Sequence, residues 1–135
     1  MTTVHSNILR AVIAADAAVC GVGGAGLAFA APALTGPLGL APALMQPVGL
    51  FLLGYATLLA VMATRPELPR RAVWGLVVFN LLWAAESVAV IALGWIQPST
   101  LGALALVGQA VAAAAVAALQ YGVLRRDRPT AAASA

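Results

Sequence analysis

Six residues of this chain pair a chemically useful side chain with a position inside a long apolar run: Asp16, Tyr55, Asn80, Trp83, Glu86 and Gln109. A carboxyl group screened from water can serve as a general acid or carry a proton between two states. The amides and the indole N–H can hold the polar part of a ligand, or each other. No Arg, Lys or His shares the depth of Asp16 or Glu86. At least one of these acids is therefore expected to be protonated at neutral pH, donating a hydrogen bond to Gln109 or Asn80. Trp83 lies deep and its N–H needs an acceptor, with Glu86 and Asn80 in reach. Metal and cofactor chemistry finds no donors: Cys20 is the lone cysteine and His5 the lone histidine, and both read as bystanders. The run "GVGGAG" from Gly21 lacks the Lys-Ser/Thr of a phosphate loop, so no cofactor and no metal are expected.

The elements that hold these residues follow from composition. Of 135 residues, 63% are hydrophobic and 8% charged, against about 25% charged in soluble domains. The mean hydropathy is +1.01. This is the composition of an integral membrane protein, and the net charge of +3 is no nucleic-acid footprint. A spanning helix needs about 20 apolar residues. Four segments qualify, at approximately 8–30, 44–63, 72–96 and 101–123. The expected fold is all-α, a four-transmembrane-helix bundle with short loops, forming one domain over 1–124. A disordered cytoplasmic tail is expected over 125–135. Ser6 or Asn7 is the candidate cap of the first span, and Ser99 or Thr100 of the fourth.

The first loop carries a tandem repeat. "APALTGPLGL" (31–40) and "APALMQPVGL" (41–50) agree at seven of ten positions. An interfacial helix over approximately 31–43 is expected, with a re-entrant hairpin as the alternative. A signal peptide ending at "AFA" (28–30) is the competing reading of the first span. Asp16 inside the run and the length of the run speak for retention.

Arginine sets the orientation. Arg10, then Arg65, Arg70 and Arg71, then Arg125, Arg126 and Arg128 mark three regions that four spans bring to one side. The positive-inside rule makes that side cytoplasmic, with both termini there. Trp74 and Trp95 are expected at the two interfaces.

Counting at about 1.5 Å per residue places Asp16, Tyr55 and Asn80 in one layer. Glu86 and Gln109 fall in a second layer, roughly 9 Å further from the arginine side. Asn80, Trp83 and Ser87 share one helix face, which Glu86 borders; Asp16 shares a face with Cys20, and Gln109 with Gln120. All are expected to point into the bundle, because lipid cannot satisfy them. Ala110, Ala114, Ala118 and Gly122 form a small-residue stripe that would let helices approach closely, within one chain or in a homo-oligomer.

The second-loop arginines, the "FNLLW" of the third span and the Gln-containing fourth span ending in "LRR" resemble small four-span bacterial inner-membrane proteins of unassigned function. The resemblance implies the fold and the location in a bacterial cytoplasmic membrane. Small multidrug exporters carry a glutamate in the first span where this chain has Asp16. Fluoride channels have a paired-phenylalanine region that is missing here. The sterol-isomerase-like membrane fold is similar in its Asn-x-x-Trp, matched by Asn80 and Trp83, but this chain brings no histidine into the bundle. The leading functional expectation is a membrane binding or transport module with a polar pocket inside the bundle, for a small apolar or protonatable solute. A small membrane enzyme of isomerase or cyclase type, acting on a lipid-like substrate, is the first alternative. A structural or partner-binding subunit is the second.

Overall fold

The computed structural model describes residues 2–127. The chain runs β1 (Thr3–Val4), α1 (Asn7–Phe29), α2 (Ala31–Leu38), α3 (Pro42–Thr64), β2 (Leu68–Pro69), α4 (Arg70–Ala92) and α5 (Thr100–Arg126). The helices α1, α3, α4 and α5 are each long and apolar enough to cross a membrane. The architecture is the expected all-α bundle. α1 packs most extensively on α3 and α4 on α5, with α1 also meeting α5. Its outer surface is apolar: Val22, Phe29, Leu82, Leu104 and Val111 are each more than 60% exposed, as in a protein solvated by hydrocarbon.

Close approach of α1 and α3 depends on two glycines. A Cβ on Gly24 would lie 2.9 Å from the Gly49 carbonyl oxygen, and one on Gly49 would run into the backbone of Gly24, Leu27 and Ala28. The "GVGGAG" segment thus contributes one glycine that the crossing requires, Gly24; Gly21 leaves ordinary room beside Ala56, and Gly23 and Gly26 face open space. The α5 stripe reads differently. Ala110 is buried, but Ala114 and Gly122 are half-buried and Ala118 is exposed. Steps of four overshoot the 3.6-residue turn, so such a stripe rotates away from any one neighbour. The buried face of α5 is instead Gly102, Ala110, Ala117, Gln120 and Leu124.

The arginine-bearing end is tied together. Two-residue strands β1 and β2 pair antiparallel, Thr3 with Pro69 and Val4 with Leu68, which brings the N-terminal segment onto the α3–α4 loop. Val4 and Leu68 plug the end of the core formed by Leu9, Ile13, Leu59, Val73, Val77 and Leu124. His5 joins this tie, its Nδ1 lying 2.9 Å from the Pro66 carbonyl. Arg10 Nε donates to Ala63 O at 3.0 Å, and Arg70 donates to Leu124 O at 2.6 Å and Asp127 O at 3.2 Å. Each arginine thus satisfies carbonyls that the last turn of α3 or α5 leaves without intrahelical partners. Ser6 caps α1, accepting from Leu9 N at 3.2 Å. The helix α5 continues through Arg126, beyond the expected end at 123–124; of the tail expected from 125, residues 128–135 lie outside the described residues.

At the opposite end, α2 is the short helix expected in the first loop. It stops at Gly39, which has φ +65°. Ser99 caps α5 by accepting from Gly102 N at 3.0 Å, and its own N–H donates to Leu38 O at 3.0 Å. A side chain on Gly102 would collide with the Leu38 carbonyl, so α2 sits directly on the first turn of α5. The helix α4 ends at Ala92, four residues before the expected limit at Ile96. Gly94, at φ +70°, turns the chain there, and Trp95 N returns to Val90 O at 3.0 Å.

Candidate functional site

Asn80 is the centre of the interior polar cluster. Steps of three and four from Val73 and Val77 place it on the buried face of α4, where it is 4% exposed. Its Nδ2 donates to Oε1 of the fully buried Gln120 on α5, at 3.4 Å. It also neighbours Asp16 of α1 and Tyr55 of α3, though neither Asp16 Oδ2 nor the Tyr55 hydroxyl closes a hydrogen bond. Asp16 Oδ1 accepts from Cys20 Sγ, one turn on, at 3.5 Å. The expected layer of Asp16, Tyr55 and Asn80 is therefore present. Cys20 joins it through the i, i+4 spacing, and Gln120 completes it.

Further from the arginine end, a second network crosses from α4 to α5. Trp83 Nε1 donates to Gln109 Oε1 at 2.7 Å, Gln109 Nε2 donates to Ser87 Oγ at 2.7 Å, and Ser87 Oγ donates to the Trp83 carbonyl at 2.7 Å. Every polar atom on this path is matched, so it reads as interhelical structure.

Glu86 belongs to neither network, and the expectation that it points inward is corrected. It is exposed, on the flank of α4. One residue along a helix is a rotation of about 100°, and Glu86 precedes the inward Ser87 by one. Trp83 finds its acceptor in Gln109, not in Glu86 or Asn80, and Gln109 serves Ser87 rather than Glu86.

Beside the cluster lies a cleft between α3 and α4 of about 670 Å³, lined by residues that include Phe51, Gly54, Tyr55, Leu58, Gly75 and Phe79. Aromatic rings separate it from the interior. The Tyr55 and Phe79 ring centroids are 4.4 Å apart, and Phe51 stacks on Trp83 at 5.9 Å with 12° between planes. These rings were a legible signal that the polar residues overshadowed: Phe51/Tyr55 and Phe79/Trp83 are i, i+4 pairs on the two helices that flank the cleft.

No protein-family model, curated relative or solved structure matches the chain.

Among the described residues, three buried polar atoms retain unused hydrogen-bonding capacity: Asp16 Oδ2, the Tyr55 hydroxyl and Gln120 Nε2. Together they offer oxygen acceptors, a hydroxyl donor and an amide donor. Tyr55 is the one residue common to this set and to the wall of the cleft. The cleft offers rings and aliphatic side chains to an apolar body, and the Tyr55 ring stands between it and the buried polar atoms behind. Among the described residues, no group of three His, Cys, Asp or Glu side chains could hold a metal ion.

Proposed function

We propose that this protein is an integral membrane binding or transport module for a small, largely apolar or protonatable solute. The solute enters the α3–α4 cleft from the hydrocarbon layer and presents its polar group to Tyr55 and, behind it, to Asp16 and Asn80. One observation carries the reading: Tyr55 places its ring in the wall of the cleft and an unpartnered hydroxyl in the polar cluster. The volume of about 670 Å³ suits this use, since ligand pockets commonly span about 300–1,000 Å³. The arginine-bearing end faces the cytoplasm of a bacterial cell, and the bundle lies in its cytoplasmic membrane.

The test uses Trp83 as a reporter, after Trp74→Phe and Trp95→Phe, in detergent micelles. Benzyl alcohol, benzylamine and toluene are titrated in. The expected result is a saturable change in emission, abolished by Gly54→Phe, which fills the cleft. Tyr55→Phe should weaken benzyl alcohol and benzylamine but not toluene. A linear, unsaturable response shared by wild type and Gly54→Phe would remove the binding reading. Proton coupling is read separately, as benzylamine flux into vesicles with and without a pH gradient. Asp16→Asn should abolish the effect of the gradient, and equal flux in the two proteins would remove the coupling.

A further inference from the structure

Glu86 is the residue that the folded chain leaves unexplained. Its Cα lies six residues before the end of α4, about 9 Å along the helix axis. A charged side chain at such depth costs about 2.5–3.5 kcal/mol at the centre of a span, less toward its ends. Reaching back to the nearer headgroups is opposed by geometry. In a helix the Cα–Cβ bonds lean toward the N-terminus, and α4 begins at the arginine end. The Glu86 side chain therefore leans toward the middle of the membrane, away from the closer surface.

The flank around it is patterned. Ala72, Gly75, Phe79, Leu82, Glu86 and Ala89 follow one another at steps of three and four. That is the 3.5-residue period of a helix–helix seam. Gly75, Leu82 and Glu86 are exposed, the others half-buried, and a Cβ on Gly75 would meet nothing within 4 Å. The inward face of α4 is a different set: Val73, Leu76, Val77, Asn80 and Ser87. The helix thus carries a second face that the rest of the chain covers only in part, through Phe79 against Tyr55 of α3.

We propose that a second copy of this chain packs against the seam, α4 on α4, with the two Glu86 side chains in contact. Copies inserted in the same direction are related by a two-fold axis along the membrane normal, so residues near the axis meet their own equivalents at equal height. A protonated carboxyl both donates and accepts, and two such groups satisfy one another. A single polar position in an otherwise apolar seam also fixes its register. Ala72 and Gly75 allow close approach toward the arginine end. The same copy borders the cleft, because Ala72, Gly75 and Phe79 belong both to the seam and to the cleft wall. The dimer needs no solute, so its test stands apart from the binding test above.

Single cysteines are introduced into a Cys20→Ala background, in vesicles of phosphatidylcholine and phosphatidylglycerol. Seam positions are Leu82→Cys and Ala89→Cys; control positions are the exposed, off-seam Leu81→Cys and Val88→Cys. Oxidation should give disulfide dimers at the seam positions and few at the controls. Fluorescence transfer between labelled copies, followed as lipid dilutes the protein, should show Glu86→Gln close to wild type, since an amide also donates and accepts. Glu86→Leu should weaken association about tenfold, in line with polar pairs in membranes. Equal cross-linking at all four positions, unchanged association of Glu86→Leu, or a wild type that stays monomeric at every dilution would each overturn the proposal.

Discussion

Gly49→Ala should loosen the bundle although it replaces the poorer helix former with the best. In an exposed helix interior this exchange is worth about 0.5–1 kcal/mol in favour of Ala. At position 49 the added methyl meets the Ala28 nitrogen, the Gly24 oxygen at 2.7 Å and the Leu27 carbonyl carbon at 2.8 Å. All three are backbone atoms of α1, so no side chain can rotate aside. The helices must separate, which also opens the close approach of Gly24 to α3, where there is no room even for a Cβ beside Leu52 and Leu53. Overpacking of this kind costs about 1–3 kcal/mol, and a backbone obstruction belongs at the upper end. The net loss is then about 1–2 kcal/mol. Gly54→Ala is the control on the same helix, because its Cβ meets nothing within 4 Å; it should gain up to about 1 kcal/mol. Reversible unfolding in mixed micelles of mild detergent and dodecyl sulfate, followed by far-UV circular dichroism, measures both. Gly49→Ala as stable as Gly54→Ala would refute the close crossing of α1 and α3.

Tyr55→Phe removes a buried hydroxyl that has no partner, so the same unfolding assay should show no loss and a gain of up to about 1 kcal/mol. Arg70→Gln gives up the bonds to Leu124 O and Asp127 O; the partly exposed site should lose about 1–2 kcal/mol, with faster hydrogen exchange in the last turn of α5. Gln109→Leu strands the Trp83 N–H and removes the donor to the Ser87 hydroxyl, which keeps its bond to the Trp83 carbonyl; the cost should be about 1 kcal/mol, with a shift of Trp83 emission that Gln109→Glu does not reproduce in size.

The spans, the caps at Ser6 and Ser99 and the layer of Asp16, Tyr55 and Asn80 were legible because each rests on a strong local signal: apolar length, hydroxyl position or equal depth. Glu86 was misplaced for the reason that one residue separates two faces of a helix. Depth counting fixed its height, but bordering a polar face says nothing about which way the border turns. The α5 stripe does not map onto one neighbour within the chain, since its period of four drifts around a 3.6-residue helix. The β1–β2 pairing had no signal to offer: two residues on each strand carry no periodicity, and "TTVHS" joins "ELPRR" across more than sixty residues of sequence.

The tandem repeat shows where local sequence stops deciding structure. Both copies begin a helix at Ala-Pro, the first at Ala31 and the second at Pro42 after Ala41. Pro32 and Pro42 suit a first turn, where a missing N–H costs nothing. Each copy has glycine at its ninth position, yet Gly39 is left-handed and ends α2, while Gly49 stays helical inside α3. What differs is the residue three places on. Pro42 forces Ala41 out of the helical region, to ψ 141°, so the first copy must stop. Leu52 imposes nothing on the second. The two glycines then take unlike roles, one bending the chain beside Ser99 and the other admitting the backbone of α1. One duplicated decapeptide thus supplies both the turn that seats α2 on α5 and the crossing that fixes α3 on α1. With α3 held there by backbone contact, its Phe51 and Tyr55 are left to face α4 across rings rather than close packing, which is why the cleft opens on that side of the bundle.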